Sequence, residues 1–332
     1  MRSIFIGIAA FAVGVGVATL VDSGRKTELI EPHEVVIASS VGAQASPVGD
    51  SPNYSLPNTN VHLLRSEKSA RTYPIWVDVP ASYTERGDGK KYPIVFVTDA
   101  GYSFPLVRSI RNLLGQRGRN IEDFILVGLA PAEGDTSAAS RSRDYTPTNP
   151  LPSAKADDGT YNAQLRYGEA IAYRDHLESE VFPYIEKHYR ADMRRKVLAG
   201  HSLGGLFGAY VLLTKPAMFQ HYILSSPSLW FDAKSILKFE RDYAAQHRDL
   251  DARVSIYAGS FETIRAEPRY FKSVDIVEDM KRFKKLLESR RYSGLRIDTK
   301  VIADEDHLTV YPSAIGRGLL NALPGFGPYT SG

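Results

Sequence analysis

Ser202 stands at the centre of Gly200-His201-Ser202-Leu203-Gly204-Gly205, between a short apolar run, Val197-Leu198-Ala199, and a helix-like run, Leu203 to Leu213. A strand, a sharp turn and a helix with a serine at the apex is the layout of a nucleophile elbow. The serine of such an elbow is held in a strained backbone conformation, and side chains at the flanking positions would collide with the adjoining strand and helix, so glycine is needed there. On its own the G-x-S-x-G pattern also fits a glycine-rich structural turn. The strand and helix on either side give it chemical meaning.

A serine hydroxyl is a weak nucleophile until a base takes its proton and an acid orients that base. Among eight histidines, His307 is the best placed: it follows the run Ile297 to Ile302, lies in the turn opened by Asp304-Glu305-Asp306, and precedes the final helix-like segment. His176 and His188 fall in a helical stretch before the serine, and His221 opens a strand. His201 adjoins Ser202 and should point away from it. Sites of this kind run serine, acid, histidine along the chain, which puts the acid in the turn after the strand Val254 to Tyr257. That turn reads Ala258-Gly259-Ser260-Phe261-Glu262 and offers Glu262. Asp275 and Glu278, farther on, are alternatives, as is a Ser-His dyad. The oxyanion of a tetrahedral intermediate needs two N–H donors. Leu203, directly after the serine, supplies one. Gly101 or Tyr102, beyond the strand that ends at Thr98, supplies the other, unless that loop is a plain tight turn.

These residues must be held by the elements around them. Tyr92-Pro93-Ile94-Val95-Phe96-Val97-Thr98 is a continuous apolar run, as expected of a parallel strand buried on both faces. Thr72 to Pro80 is β-rich, and with the polar turn Ala81 to Lys91 it predicts a hairpin. Beyond it, strands and helices alternate: a helix near Phe104 to Leu114, a strand at Phe124 to Leu129, a long helix from Glu169 to His188, the elbow strand, and a strand at Tyr222 to Leu224. Then come a helix around Ala233 to Ala245, the strand Val254 to Tyr257, a helix from Val274 to Leu287, the strand Ile297 to Ile302 and a last helix from Tyr311 to Leu320. This order predicts an α/β fold with a mostly parallel sheet covered on both faces. Only Pro131 to Asn162, a long polar loop, interrupts it, and loops of that length are commonly functional or disordered.

The whole chain has 332 residues, 43% hydrophobic and 24% charged, with a formal charge of +3. Lys and Arg are mixed with Asp and Glu, so nothing suggests a nucleic-acid partner. Cysteine is absent, which excludes disulfides and thiolate chemistry. With no H-E-x-x-H and no calcium loop, Asp304-Glu305-Asp306 lacking the required glycine, no metal is expected, and without a phosphate or dinucleotide fingerprint no cofactor either. Met1-Arg2 precedes an uncharged apolar run from Ile4 to Val21. About 18 apolar residues is the lower limit for spanning a bilayer and slightly long for a signal peptide. Residues 1–23 are therefore expected to be a cleaved export signal or a single membrane anchor. Residues 24–58, rich in Ser, Pro, Gly and charge, should form a disordered linker. The folded domain is expected at residues 59–325.

Several strings together resemble the enterochelin-esterase-like, or putative esterase, branch of the α/β-hydrolases, over about Val61 to Leu320. They are Tyr92-Pro93 to Asp99, Arg141-Ser142-Arg143-Asp144-Tyr145-Thr146-Pro147, Pro183-Tyr184-Ile185-Glu186 with Tyr189, Gly200 to Gly205, and Ser225-Ser226-Pro227-Ser228-Leu229-Trp230. The resemblance implies an α/β-hydrolase fold, Ser202 as nucleophile and His307 as base, with an acid that varies within the group. It also implies hydrolysis of carboxylic esters, including trilactone catecholate siderophores. The Arg141 segment would then flank the site, where Arg141 and Arg143 could hold a catecholate or carboxylate, with Trp230 as an aromatic wall and Tyr102 also at the substrate, although a solvated loop and ordinary core burial suit the arginines and Trp230 as well. The expected partner is a small-molecule ester. An acyltransferase, with an alcohol in place of water, or a non-catalytic ligand-binding homologue would use the same cleft.

Overall fold

Every residue of β3 (Tyr92–Val97) and β4 (Ile125–Leu129) is buried, which requires cover on both faces of the sheet they share. The computed structural model describes residues 55–85, 89–115, 118–151 and 161–327. Its strands are β1 (Thr59–Arg65), β2 (Thr72–Asp78), β3, β4, β5 (Ala191–His201), β6 (His221–Ser225), β7 (Ala252–Gly259) and β8 (Leu295–Ile302). They form one sheet in the order β1-β2-β4-β3-β5-β6-β7-β8. Pairing is antiparallel from β1 to β2 and from β2 to β4, and parallel across the rest.

The helices are α1 (Ala81–Glu85), α2 (Ala100–Gly115), α3 (Ser137–Asp144), α4 (Ala170–His176), α5 (Phe182–His188), α6 (Leu203–Thr214), α7 (Phe231–Lys234), α8 (Ile236–Gln246), α9 (Ile276–Ser289) and α10 (Val310–Ala322). Side chains of a strand alternate between faces, and β3 shows how the core divides. Ile94 and Phe96 join a cluster with α4, α6, α8 and α9. Val95 and Val97 join a second cluster with Phe104 of α2 and Tyr311, Ile315 and Leu319 of α10. The helices after β3 and β5 thus leave toward opposite faces, and a crevice opens between the C-terminal ends of these two neighbouring strands. Doubly wound sheets place their ligands at such a point.

Two sequence expectations change, and one strand is unanticipated. Residues 81–91 do not close a hairpin between β2 and β3: β2 pairs with β1 and β4, while both edges of β3 are taken by β4 and β5. The strand β1 has no clear alternation to betray it, since Val61 and Leu63 are both more than half exposed. The long helix from Glu169 to His188 is divided by a π-helical turn, Leu177–Val181, just before Pro183. Proline has no N–H for the regular ladder and its ring crowds the preceding turn, so the widened turn takes up the mismatch.

The expected export segment and most of the expected linker lie outside the described residues. Within residues 55–58, Leu56 packs against the α2 and α10 side of the core and the Pro57 carbonyl accepts a 2.9 Å hydrogen bond from Arg108. No helix among the described residues is long and apolar enough to cross a membrane.

Candidate active site

β5 ends at His201, and Ser202 turns the chain into α6 with φ 59° and ψ −117°, a conformation strained for any residue with a side chain. The neighbouring glycines make the bend possible. A Cβ on Gly200 would overlap the Gly204 carbonyl, and one on Gly204 would overlap Thr98 Oγ1 at the end of β3. The bend is tied down by its backbone: Ser202 N–H donates to the Ser225 carbonyl at 3.0 Å, and the Ser202 carbonyl accepts from Leu206 and Ser228 N–H, each at 3.0 Å. The hydroxyl lies 3.4 Å from Ser228 Oγ. Leu203 opens α6, where helix N–H groups lack an intrahelical acceptor.

Glu262 lies in the turn after β7 with no exposed surface, yet its carboxylate is well supplied with donors. Oε2 accepts from Ser226 Oγ at 2.5 Å and from Gly259 N–H at 2.6 Å, and Oε1 lies 2.6 Å from His307 Nδ1. That contact fixes the imidazole by Nδ1, as the orienting acid of a catalytic triad does, and His307 lines the same cavity as Ser202. The turn bearing His307 is itself braced, because Asp306 Oδ1 accepts from both Leu308 and Thr309 N–H at 3.0 Å. The other two acids are engaged elsewhere. Asp275 caps α9 through a 2.8 Å bond from Glu278 N–H, and Glu278 pairs with Arg282.

Ser202 and His307 line one cavity of about 750 Å3. His201 lines it too, with its ring 4.6 Å from the His307 ring and Nδ1 3.1 Å from Ser225 Oγ. Burial, together with the nearby His307 and Arg141, pushes its pKa down to about 3, so His201 is a neutral plate beside the His307 ring. Gly101 and Tyr102 are on the cavity wall, in the first turn of α2. The Tyr102 N–H turns back to the Asp99 carbonyl at 3.2 Å, which leaves Gly101 the better placed donor of the pair. A Cβ at Gly101 would meet no protein atom within 4 Å, so that stretch of backbone is open to a ligand.

Arg141 reaches the cavity but does not stand alone. Its Nε and one terminal nitrogen lie 3.0 and 3.4 Å from the two carboxylate oxygens of Asp99. Burial works against the guanidinium charge, and Asp99 more than offsets it. Asp99 has φ 54° and also accepts from the Tyr102 hydroxyl at 3.2 Å. Arg143 is not brought to the cavity. It is buried against Asp144 at 2.8 Å and Asp135 at 2.7 Å, behind the loop. Trp230 is likewise not on the cavity wall and packs partly buried against the core, beside Phe231. The sequence expectation fails for both because consecutive residues of a helix or turn face different directions. Sequence reasoning missed Asp99 and Ser226. Asp99 directly precedes the singled-out Gly101 turn, but its partner comes 42 positions later, so spacing could not reveal the pair. No cluster of His, Asp and Glu among the described residues is arranged to hold a metal ion.

The family model described as putative esterase matches residues 66–295. The chain belongs to the putative esterase family. It is an ester-hydrolysing enzyme with the α/β-hydrolase fold. Ferri-bacillibactin esterase BesA of Bacillus subtilis is 28% identical, over 85% of this chain and 96% of its own length. The siderophore enterobactin esterase of Emericella nidulans is also 28% identical, over 75% of this chain and 88% of its own. In fold, the crystal structure of BES protein from Bacillus cereus aligns with a TM-score of 0.69 at 24% identity, covering 84% of this chain and 99% of that one.

Proposed function

We propose that this chain is a siderophore esterase that opens trilactone esters through an acyl-enzyme on Ser202. One observation carries the reading: an elbow serine shares a cavity with an imidazole whose Nδ1 is 2.6 Å from a buried carboxylate. The Ser202 hydroxyl rests near Ser228, and rotation about its Cα–Cβ bond brings it toward His307 when substrate enters, since catalytic hydrogen bonds often tighten only in the substrate complex. His307 Nε2 takes the hydroxyl proton as Oγ attacks the ester carbonyl. Leu203 and Gly101 N–H meet the oxyanion. As the tetrahedral intermediate collapses, the bond to the alcohol oxygen breaks and His307 returns its proton to that oxygen. A water then repeats the sequence on the acyl-serine, releasing the acid and restoring Ser202. The Glu262 carboxylate, 2.6 Å from Nδ1, stabilises the imidazolium at both steps.

The relatives named for ferri-bacillibactin and enterobactin support a siderophore substrate. So does the cavity wall, where Tyr102, Leu106, Leu308 and Tyr311 present apolar and aromatic surface suited to aryl arms. The test is a hydrolysis panel of short p-nitrophenyl esters, feruloyl esters and a catecholate trilactone, with Ser202→Ala as the blank. The trilactone should show the highest kcat/KM. A preference for the simple esters, with the trilactone inert, would contradict the substrate assignment. We propose further that the chain is exported, on the strength of the Ile4 to Val21 run. Cell fractionation with N-terminal sequencing should find it outside the cytoplasm, with the new terminus beyond Val21 if the segment is cleaved; a cytoplasmic protein with Met1 intact would contradict this.

A further inference from the structure

The ionisable side chains on the cavity wall, among the described residues, are Asp99, Arg141, His201, His307 and the phenols Tyr102 and Tyr311. Their charges leave no positive surplus. Arg141 is matched by Asp99 through two contacts, at 3.0 and 3.4 Å. His201 is neutral at any pH near 7, because burial drives its pKa down to about 3. Burial, with the Asp99 carboxylate close by, pushes both phenols up, so they stay protonated. Behind His307 stands the Glu262 carboxylate. The rest of the wall is Ser137, Ser202, backbone and apolar surface, with Leu308 78% exposed.

The two forms of a catecholate trilactone differ sharply in what they ask of such a wall. Three dianionic catecholates around one ferric ion make a compact trianion. Without iron, each catechol keeps its protons at neutral pH, as a phenol of pKa about 10 does, and the arms are uncharged and free to lie on separate surfaces. Transferring a trianion from water onto a wall whose arginine, among the described residues, is already paired with a carboxylate is unfavourable, whereas neutral aryl rings gain by leaving water.

We propose that this esterase discriminates for the iron-free trilactone over its ferric complex, and that Asp99 sets the preference by neutralising Arg141. The inference rests on the trilactone reading above and deepens it. With the carboxylate gone, Arg141 becomes an unpaired cation beside the nucleophile, and the trianion gains more from it than the neutral ligand does. Asn tolerates the positive φ of position 99, which makes Asp99→Asn a fair replacement.

The experiment measures kcat/KM for the iron-free trilactone and for its gallium(III) complex, a redox-inert match in charge to the ferric one. It uses the wild type, Asp99→Asn and Arg141→Gln, each checked for folding by its thermal transition. The wild type should favour the iron-free form by about tenfold or more, Asp99→Asn should move the ratio about tenfold toward the complex, and Arg141→Gln should move it the other way. A purely structural role would shift both variants in the same direction and would overturn the assignment of Asp99. A wild type that cleaves the complex as well as the free ligand would overturn the preference itself. If neither trilactone is cleaved while a p-nitrophenyl ester is, in a Ser202-dependent way, the substrate reading fails and this inference with it.

Discussion

The two walls of the cavity are built on different terms. On the side of β5, β6 and β7, the groups that would do chemistry are locked by hydrogen bonds and burial: Glu262 is fully buried with contacts to both oxygens, and the Ser202 peptide is tied at both ends. On the side of α2 and α3 the wall is more open: Arg141 keeps 27% of its side chain exposed and Tyr102 is 45% exposed. Chemistry needs groups held to fractions of an ångström, while a surface that admits a substrate must remain open. A substitution on the first wall should therefore strike turnover, and one on the second should strike which ester is turned over.

The sharpest way to break this contrast is to remove its reactive members. Ser202→Ala or His307→Ala should lower kcat by about a millionfold, each about as much as both together, because they act as a unit. Additive losses would mean they do not. Glu262→Gln should cost roughly ten-thousandfold in kcat with little change in KM, since a neutral amide can neither hold the right tautomer nor stabilise the imidazolium. An unchanged rate would leave a Ser-His dyad as the better description.

The two arginines of the 141–147 segment sharpen the same contrast. Arg143 and Asp144 are paired with side chains 6% and 2% exposed, so Arg143→Ala strands a buried carboxylate and should destabilise the fold by about 3–5 kcal/mol in urea titration. Arg141→Ala, on the half-open wall, should cost less stability and change KM instead. The reverse pattern would place Arg143, not Arg141, at the substrate.

The smallest effect concerns His201, whose pKa falls from 6.5 unfolded to about 3 folded, with burial the main cause. Between those values the unfolded chain binds the extra proton, so the stabilisation present above about pH 6.5 is lost as pH falls toward 3, by up to about 1.4 kcal/mol per pH unit. His176 and His221 are shifted in the same direction by burial. His201→Phe should flatten the acid limb of the stability curve by close to one proton, and an unaltered slope would show that His201 is not buried as described.

The first wall was legible in the sequence and the second was not, for a physical reason. An elbow serine, its glycines, the turn after β7 and the turn after β8 are each local: a strand ends, the chain bends, and the residue at the bend is set by neighbours a few positions away. Ser202, Glu262 and His307 could be picked out because each sits on such a bend. Asp99 with Arg141, the burial of Arg143 and the withdrawal of Trp230 depend on how distant segments pack, which no local pattern encodes. The fold divides in the same way. Buried parallel strands announce themselves as continuous apolar runs, whereas β1, half exposed at the sheet edge, does not.

The central claim is that Ser202 is made nucleophilic by His307, and covalent labelling reads this directly. Treating the folded protein with a fluorophosphonate and mapping the adduct by peptide mass should give one modified residue, Ser202, with labelling slowed by orders of magnitude in His307→Ala. A folded wild type that takes no label, or one labelled at Ser202 equally fast without His307, would contradict the account.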